Sequence, residues 1–135
     1  MIQRIQTIFL LLTIFLNVSF IFLPIYAHAL TDPTGWISTG LTVALAFSSA
    51  ITLISIFLFN NRQNQVRWIK RAMIFQVIAL GMCFAIFFTL GMYGFHIWDE
   101  ALAISVLFLA FLFQYAAIRY IRRDDRLVRS MDRIR

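Results

Sequence analysis

The sequence predicts an all-α integral membrane protein: a bundle of four spanning helices arranged as two antiparallel hairpins, with an amphipathic C-terminal helix in the cytoplasm. Three observations predict it. The 135 residues are 61% hydrophobic and only 13% charged, with a mean hydropathy of +0.83, whereas a soluble domain carries roughly 25% charged residues. The apolar residues gather into four runs of about 20 to 24 residues, each long enough at about 1.5 Å per residue to cross a hydrocarbon core of about 30 Å. The charged residues fall between these runs or at the chain ends. Barrel strands would instead alternate polar and apolar positions over about ten residues. Helices then remain the way to satisfy the backbone in lipid. One domain covers residues 1–135 and leaves no room for a soluble catalytic domain beside it.

The first span is expected over residues 5–26. Arg4, the apolar run and Ala27-His28-Ala29 imitate a secretory signal with a small-x-small cleavage site, but the run is longer than the roughly 7 to 15 residues of a signal core, so the helix is retained. Thr31-Asp32-Pro33-Thr34-Gly35 is a turn in which Asp32 can cap and Pro33 can start the second helix, residues 37–59. The third span is expected over 72–95. Asp99 and Glu100 then favour the positive N-terminal end of the fourth, residues 101–120. Short connections make sequential helices antiparallel neighbours.

Orientation follows from the basic residues. Arg4 precedes the first span, Arg62, Arg67, Lys70 and Arg71 lie between the second and third, and Arg119, Arg122, Arg123, Arg126, Arg129, Arg133 and Arg135 follow the fourth, accounting for all 12 Lys and Arg. The other two loops hold none, which places both termini and the central loop in the cytoplasm. Trp36 and Trp98 fall at the opposite boundaries, with Tyr26 and Tyr120 at span ends, as an interfacial aromatic belt requires.

Association in lipid relies on close packing, so small residues at four-residue spacing mark candidate contact faces. Gly40, Ala44, Ser48 and Thr52 form one stripe, and Gly81, Ala85 and Thr89 a second. Against this, Ser48, Ser49, Thr52 and Ser55 can simply bond their own preceding turns. The strongly polar residues within the spans are Asn17, Gln76 and Gln114. An amide facing hydrocarbon is costly, so each should face another helix, and Gln76 and Gln114 either meet each other or bond backbone carbonyls.

Several function classes lose their requirements. No Asp, Glu, Lys or Arg stands mid-membrane in any run, which argues against proton-coupled transport. The single Cys83 cannot supply the cysteine pair of a disulfide-generating enzyme and reads as packing. GxSxG and HExxH are missing. His28 and His96 share the outer side and could in principle hold haem iron or zinc, but their spacing is no motif, and the expectation is no metal and no cofactor.

The tail, residues 121–135, reads as the fourth helix continuing into water. Ile121, Leu127, Val128, Met131 and Ile134 fall largely on one side, while arginines and Asp124, Asp125 and Asp132 cover the rest. Asp125 and Arg129 form a favourable i,i+4 pair, and Arg122 and Asp125 an i,i+3 pair. The basic face should attract anionic headgroups, while its mixed signs suit an acidic protein partner. No stacking platform for nucleic acid accompanies it. With both ends on one side, Gln3 and Gln6 can bond the tail or the central loop, and Arg4 can find Asp124 or Asp125.

The opening Met-Ile-Gln-Arg-Ile-Gln-Thr-Ile-Phe-Leu-Leu-Leu, the closing Arg-Asp-Asp-Arg-Leu-Val-Arg-Ser-Met-Asp-Arg-Ile-Arg and, more weakly, Phe59-Asn-Asn-Arg-Gln-Asn-Gln65 resemble a family of small four-helix bacterial integral membrane proteins of the Bacteroidetes, catalogued as a domain of unknown function. The resemblance runs along the whole chain. It implies a bacterial inner-membrane location and a retained first helix, and it brings no activity, cofactor or catalytic residue. It marks Gln3, Arg4 and Gln6 at one end and Arg126, Arg129, Ser130, Asp132, Arg133 and Arg135 at the other as partner-binding candidates.

The functional expectation is a non-catalytic accessory, assembly or scaffold subunit that docks a protein partner, or another copy of itself, through its basic cytoplasmic face. The alternative is a small transporter, channel or lipid-handling protein working through a groove lined by Asn17, Gln76 and Gln114.

Overall fold

In the computed structural model the described residues are 2–31, 33–89 and 97–132, without the side chains of residues 2–4 and 132, and they form five helices and no strand. These are α1 (Ile2–Phe20), α2 (Pro24–Ala29), α3 (Trp36–Phe57), α4 (Arg62–Thr89) and α5 (Ile97–Asp132). Three of them, α3, α4 and α5, are long and apolar enough to cross a membrane; α1 contributes the shorter apolar stretch Ile5–Phe20.

The helix boundaries depart from the apolar runs in three places for a local reason, and α5 also starts at Ile97, four residues before the expected 101. The span expected over 5–26 is two helices, because Pro24 has no N–H to continue α1 and its ring crowds the preceding turn. Leu23, just before it, is accordingly extended, with φ −76° and ψ 147°. α3 starts after Gly35, whose φ of +67° is left-handed and whose carbonyl accepts from the Thr39 N–H and the Ser38 hydroxyl, both at 3.1 Å. Pro33 therefore lies in the turn and does not open the helix, and Asp32 lies outside the described residues. α4 begins ten residues before the expected 72, at Arg62, since Arg67, Lys70 and Arg71 are good helix formers that can project from the helix surface. The connection from α3 shrinks to residues 58–61, where the Asn61 side chain accepts from the Asn64 N–H at 3.1 Å. The end expected at 95 lies outside the described residues.

Burial follows one rule on every long helix. The buried positions step by three and four: Gln6, Leu10, Thr13, Asn17 and Phe20 on α1; Gln65, Ile69, Ala72, Gln76, Ala79, Cys83 and Ile86 on α4; Glu100, Ala103, Leu107, Ala110, Gln114, Ala117 and Ile121 on α5. That spacing of about 3.5 keeps one face of a helix against its neighbours over many turns. α1 packs chiefly on α5 and α3 chiefly on α4, with α4 also against α5, α1 against α3, and the short α2 against α5 and α3. Sequential helices thus touch, but the more extensive contacts run across the expected hairpins.

The interior is layered. At one end Leu10, Ile69, Ala117, Ile118 and Ile121 cluster, with Phe9 stacked 5.5 Å from Tyr120. At the other, Phe20, Ile25, Ala29, Ile37, Leu41, Ala79, Cys83, Ile86, Ala103 and Leu107 form a larger cluster, which α2 closes and which the Tyr26 hydroxyl ties to Thr42 at 2.9 Å. Between them lies a polar layer.

Candidate functional site

The polar layer is built from core positions on all four long helices, one each on α1, α4 and α5 and two, Ser48 and Thr52, on α3. Asn17 of α1 and Gln76 of α4 exchange two amide hydrogen bonds, Asn17 Nδ2 to Gln76 Oε1 and Gln76 Nε2 to Asn17 Oδ1, each 3.1 Å. Asn17 Nδ2 also donates to the Ser49 hydroxyl at 3.3 Å, and Gln76 Nε2 to the Leu107 carbonyl of α5 at 3.3 Å. Ser48 of α3 donates to Gln76 Oε1 at 2.8 Å and accepts from Gln114 Nε2 at 3.3 Å. Gln114 reaches Thr52 as well, at 3.2 Å. Beside the layer, Thr13 donates to the Phe9 and Ala110 carbonyls at 3.0 and 3.3 Å.

Gln76 and Gln114 are therefore joined through the Ser48 hydroxyl, and Gln76 additionally bonds a backbone carbonyl. Thr52 and Ser55 do bond their own preceding turns, at 2.7 and 2.6 Å. Ser48 does not, and its place as the hub is what sequence reasoning missed, since a serine in a small-residue stripe carries no mark of it. Bonds of this kind in hydrocarbon hold helices in one register. A hollow of about 160 Å³ touches the layer only at Asn17 and Ser49, opening between α1 and α3 beside Val18, Ile21, Thr42, Leu45 and Ala46.

The two small-residue stripes have different surroundings. Ala44, Ser48 and Thr52 are buried, and a Cβ added at the half-buried Gly40 would come 2.7 Å from Met82 Cε, so α3 and α4 approach closely there. The second stripe lies mostly outside the helix contacts among the described residues. Gly81 and Thr89 are exposed, Ala85 is half-buried, a Cβ at Gly81 would meet nothing within 4 Å, and the Thr89 hydroxyl turns back to the Ala85 carbonyl at 2.6 Å.

The basic end is organised by α5, which continues unbroken beyond the other helices. Asp124 pairs with Arg62 at the start of α4 at 3.1 Å, and Asp125 with Arg129 at 3.1 Å. The early start of α4 brings Arg62 alongside the tail; the Arg4 side chain, the partner expected for these carboxylates, lies outside the described residues. Arg126, Arg129 and Ser130 are exposed, and the Ser130 hydroxyl bonds the Leu127 carbonyl at 2.7 Å. Gln6 is not a surface residue: it occupies the core stripe of α1, and its Nε2 has no partner among the described residues. Its exposed placement is corrected by the three-and-four spacing it shares with Leu10 and Thr13. The side chains of Gln3, Arg4 and Asp132, with Arg133 and Arg135, lie outside the described residues.

Toward the opposite end, Glu100 is buried in the first turn of α5, a burial the fourth-helix spacing from Ala103 onward could have revealed. His28 is half-buried in α2, and His96, its candidate co-ligand, lies outside the described residues.

Neither a curated protein nor a solved structure matches the chain. The family model described as a domain of unknown function, DUF4293, matches residues 2–134, and with that match along nearly all of its length the chain belongs to this family.

Proposed function

We propose that this protein is a non-catalytic integral membrane subunit of the bacterial inner membrane, a four-span bundle with both termini cytoplasmic, which docks a protein partner through the extension of α5. The observation that carries the reading is the course of the α5 core stripe. From Ile121 it steps on, by the same three and four, to Asp124, Val128 and Met131. Asp124, paired with Arg62, is still largely covered, with its side chain 14% exposed. Val128 is 37% and Met131 63% exposed, with Leu127 exposed beside them. The face that α5 uses against its own chain thus runs out past it, apolar beyond Asp124. A partner helix or groove laid on that stripe would bury it, and the surrounding charges would set register and choice of partner.

The alternative of a groove-based transporter has less to stand on, because the amides it needs are bonded mainly to one another and to α3 hydroxyls.

Truncation after Asp125 keeps the Arg62 pair and removes the stripe. Crosslinking and mass spectrometry on the intact and truncated chains, purified from native membranes, should recover a stoichiometric partner with the first and lose it with the second. Recovery with both would place the functional surface elsewhere. Orientation is checked separately by cysteine substitution at Ser130 and Trp98: an impermeant maleimide added to intact cells should label position 98 and not position 130, and the reverse would overturn the cytoplasmic placement.

A further inference from the structure

Another face of α5 carries a second feature. Phe108, Leu112, Tyr115, Arg119, Arg122 and Arg126 follow one another at three- and four-residue steps and so form a single stripe along the helix. Its first half is apolar and exposed, with Tyr115 at 55%. Its second half, with Ile118, Arg123 and Leu127, borders an open space of about 610 Å³ along the surface of this one helix. An adjoining hollow of about 330 Å³ shares Tyr115, Arg119 and Arg123. The acidic residues nearest in sequence face other cations, Asp124 toward Arg62 and Asp125 toward Arg129. Among the described residues, none of Arg119, Arg122, Arg123 and Arg126 takes part in an ion pair.

From this arrangement we infer a binding site for one anionic phospholipid, with the phosphodiester held by Arg119, Arg122 and Arg126 and an acyl chain lying along Phe108, Leu112 and Tyr115. The inference rests on the membrane-spanning reading and is independent of the protein partner. Four guanidinium groups without carboxylates call for an anion, and the planar fork of arginine matches phosphate oxygens two at a time. The continuity of the stripe then selects the kind of anion. A soluble phosphate would use the basic half and leave the apolar half unexplained; a soluble protein would have to enter the hydrocarbon to reach Phe108 and Leu112. An amphiphile spans both, with its charge where the arginines begin, and basic pockets at the end of membrane helices are suited to such headgroups. Tyr115 stands at the junction, its ring beside the chain and its hydroxyl beside the headgroup.

The test uses the full chain reconstituted in nanodiscs of phosphatidylcholine with a minor share of phosphatidylglycerol, read by native mass spectrometry and by melting temperature. The wild type should retain one phosphatidylglycerol per chain in preference to phosphatidylcholine, and excess inorganic phosphate should not displace it. R119Q/R122Q should lower that retention about tenfold and abolish the melting shift that phosphatidylglycerol gives the wild type. R123Q/R126Q, which leaves the arginines closest to the span in place, supplies the same reading should the first variant fail to insert. K70Q, on α4 and outside the stripe, should retain lipid like the wild type. Equal retention by wild type and both stripe variants, equal loss in K70Q, displacement by inorganic phosphate, or loss of a co-purifying protein with lipid retention unchanged would each overturn the proposal.

Discussion

The Ser48 hydroxyl donates to Gln76 Oε1 at 2.8 Å while accepting from Gln114 Nε2 at 3.3 Å, so one serine on α3 joins an amide of α4 to an amide of α5. Gln76 in turn holds Asn17 of α1 by two bonds of 3.1 Å. A chain of side chains thus links all four long helices at one level, between two apolar clusters. In lipid, where water cannot fill an unmade bond, a slip of any helix by one turn would leave several of these groups unpaired.

Ser48→Ala should therefore destabilise the protein by about 1 kcal/mol, in the range measured for interhelical bonds in membranes. Gln76→Leu should cost more, about 2 kcal/mol, because Asn17, Ser48 and the Leu107 carbonyl all lose a partner. Asn17→Leu combined with Gln76→Leu should cost less than the sum of the single changes, since the two amides are then removed together. Unfolding equilibria in mixed micelles would measure this cycle; additivity would mean that the pair contributes nothing jointly.

Gly40 and Gly81 should respond differently to size. At Gly40 an added Cβ meets the mobile Met82 methyl at 2.7 Å, so Gly40→Ala should be tolerated as Met82 shifts, whereas Gly40→Leu should push α3 from α4 and cost about 1 to 3 kcal/mol. At Gly81, with open space around it, both Ala and Leu should lie within about 0.5 kcal/mol of the wild type. Melting of the four variants side by side is sufficient to check this contrast.

Gly35 is a conformational requirement rather than a packing one. Its φ is +67° and a Cβ there would touch nothing within 4 Å. Gly35→Ala should cost about 1 kcal/mol through backbone strain alone, and Gly35→Asn should recover part of it, because asparagine tolerates the left-handed region better. Equal stability of the Ala and Asn variants would show that the turn rearranges.

Arg62 and Asp124 join the start of α4 to the extension of α5 at 3.1 Å, both largely covered. Arg62→Ala or Asp124→Ala should loosen the first turns of the extension, seen as faster amide exchange from Arg126 onward, at a stability cost of about 1 kcal/mol. The exchanged pair R62D/D124R should restore protection in part. Exchange rates unchanged in either single variant would mean that the extension holds its course without the pair.

Helical character was legible in the chain because apolar length and charge segregation are one-dimensional properties. So was the need for Asn17, Gln76 and Gln114 to face other helices, which follows from the cost of an amide in hydrocarbon. The α1 break was also written at Pro24, but hydrophobicity alone reads straight across it. Glu100 and Gln6 lay on stripes that a three-and-four spacing marks, although polar identity argued for the surface. What the tertiary structure alone decided is which stripes meet. Gly40 and Gly81 head similar patterns on neighbouring helices, yet one is pressed against Met82 and the other faces outward, because the rotation of each helix about its axis is set by all its contacts together. Ser48 became the hub for the same reason: its hydroxyl could have closed on its own turn, and only the simultaneous arrival of Gln76 and Gln114 made the long-range bonds the better solution.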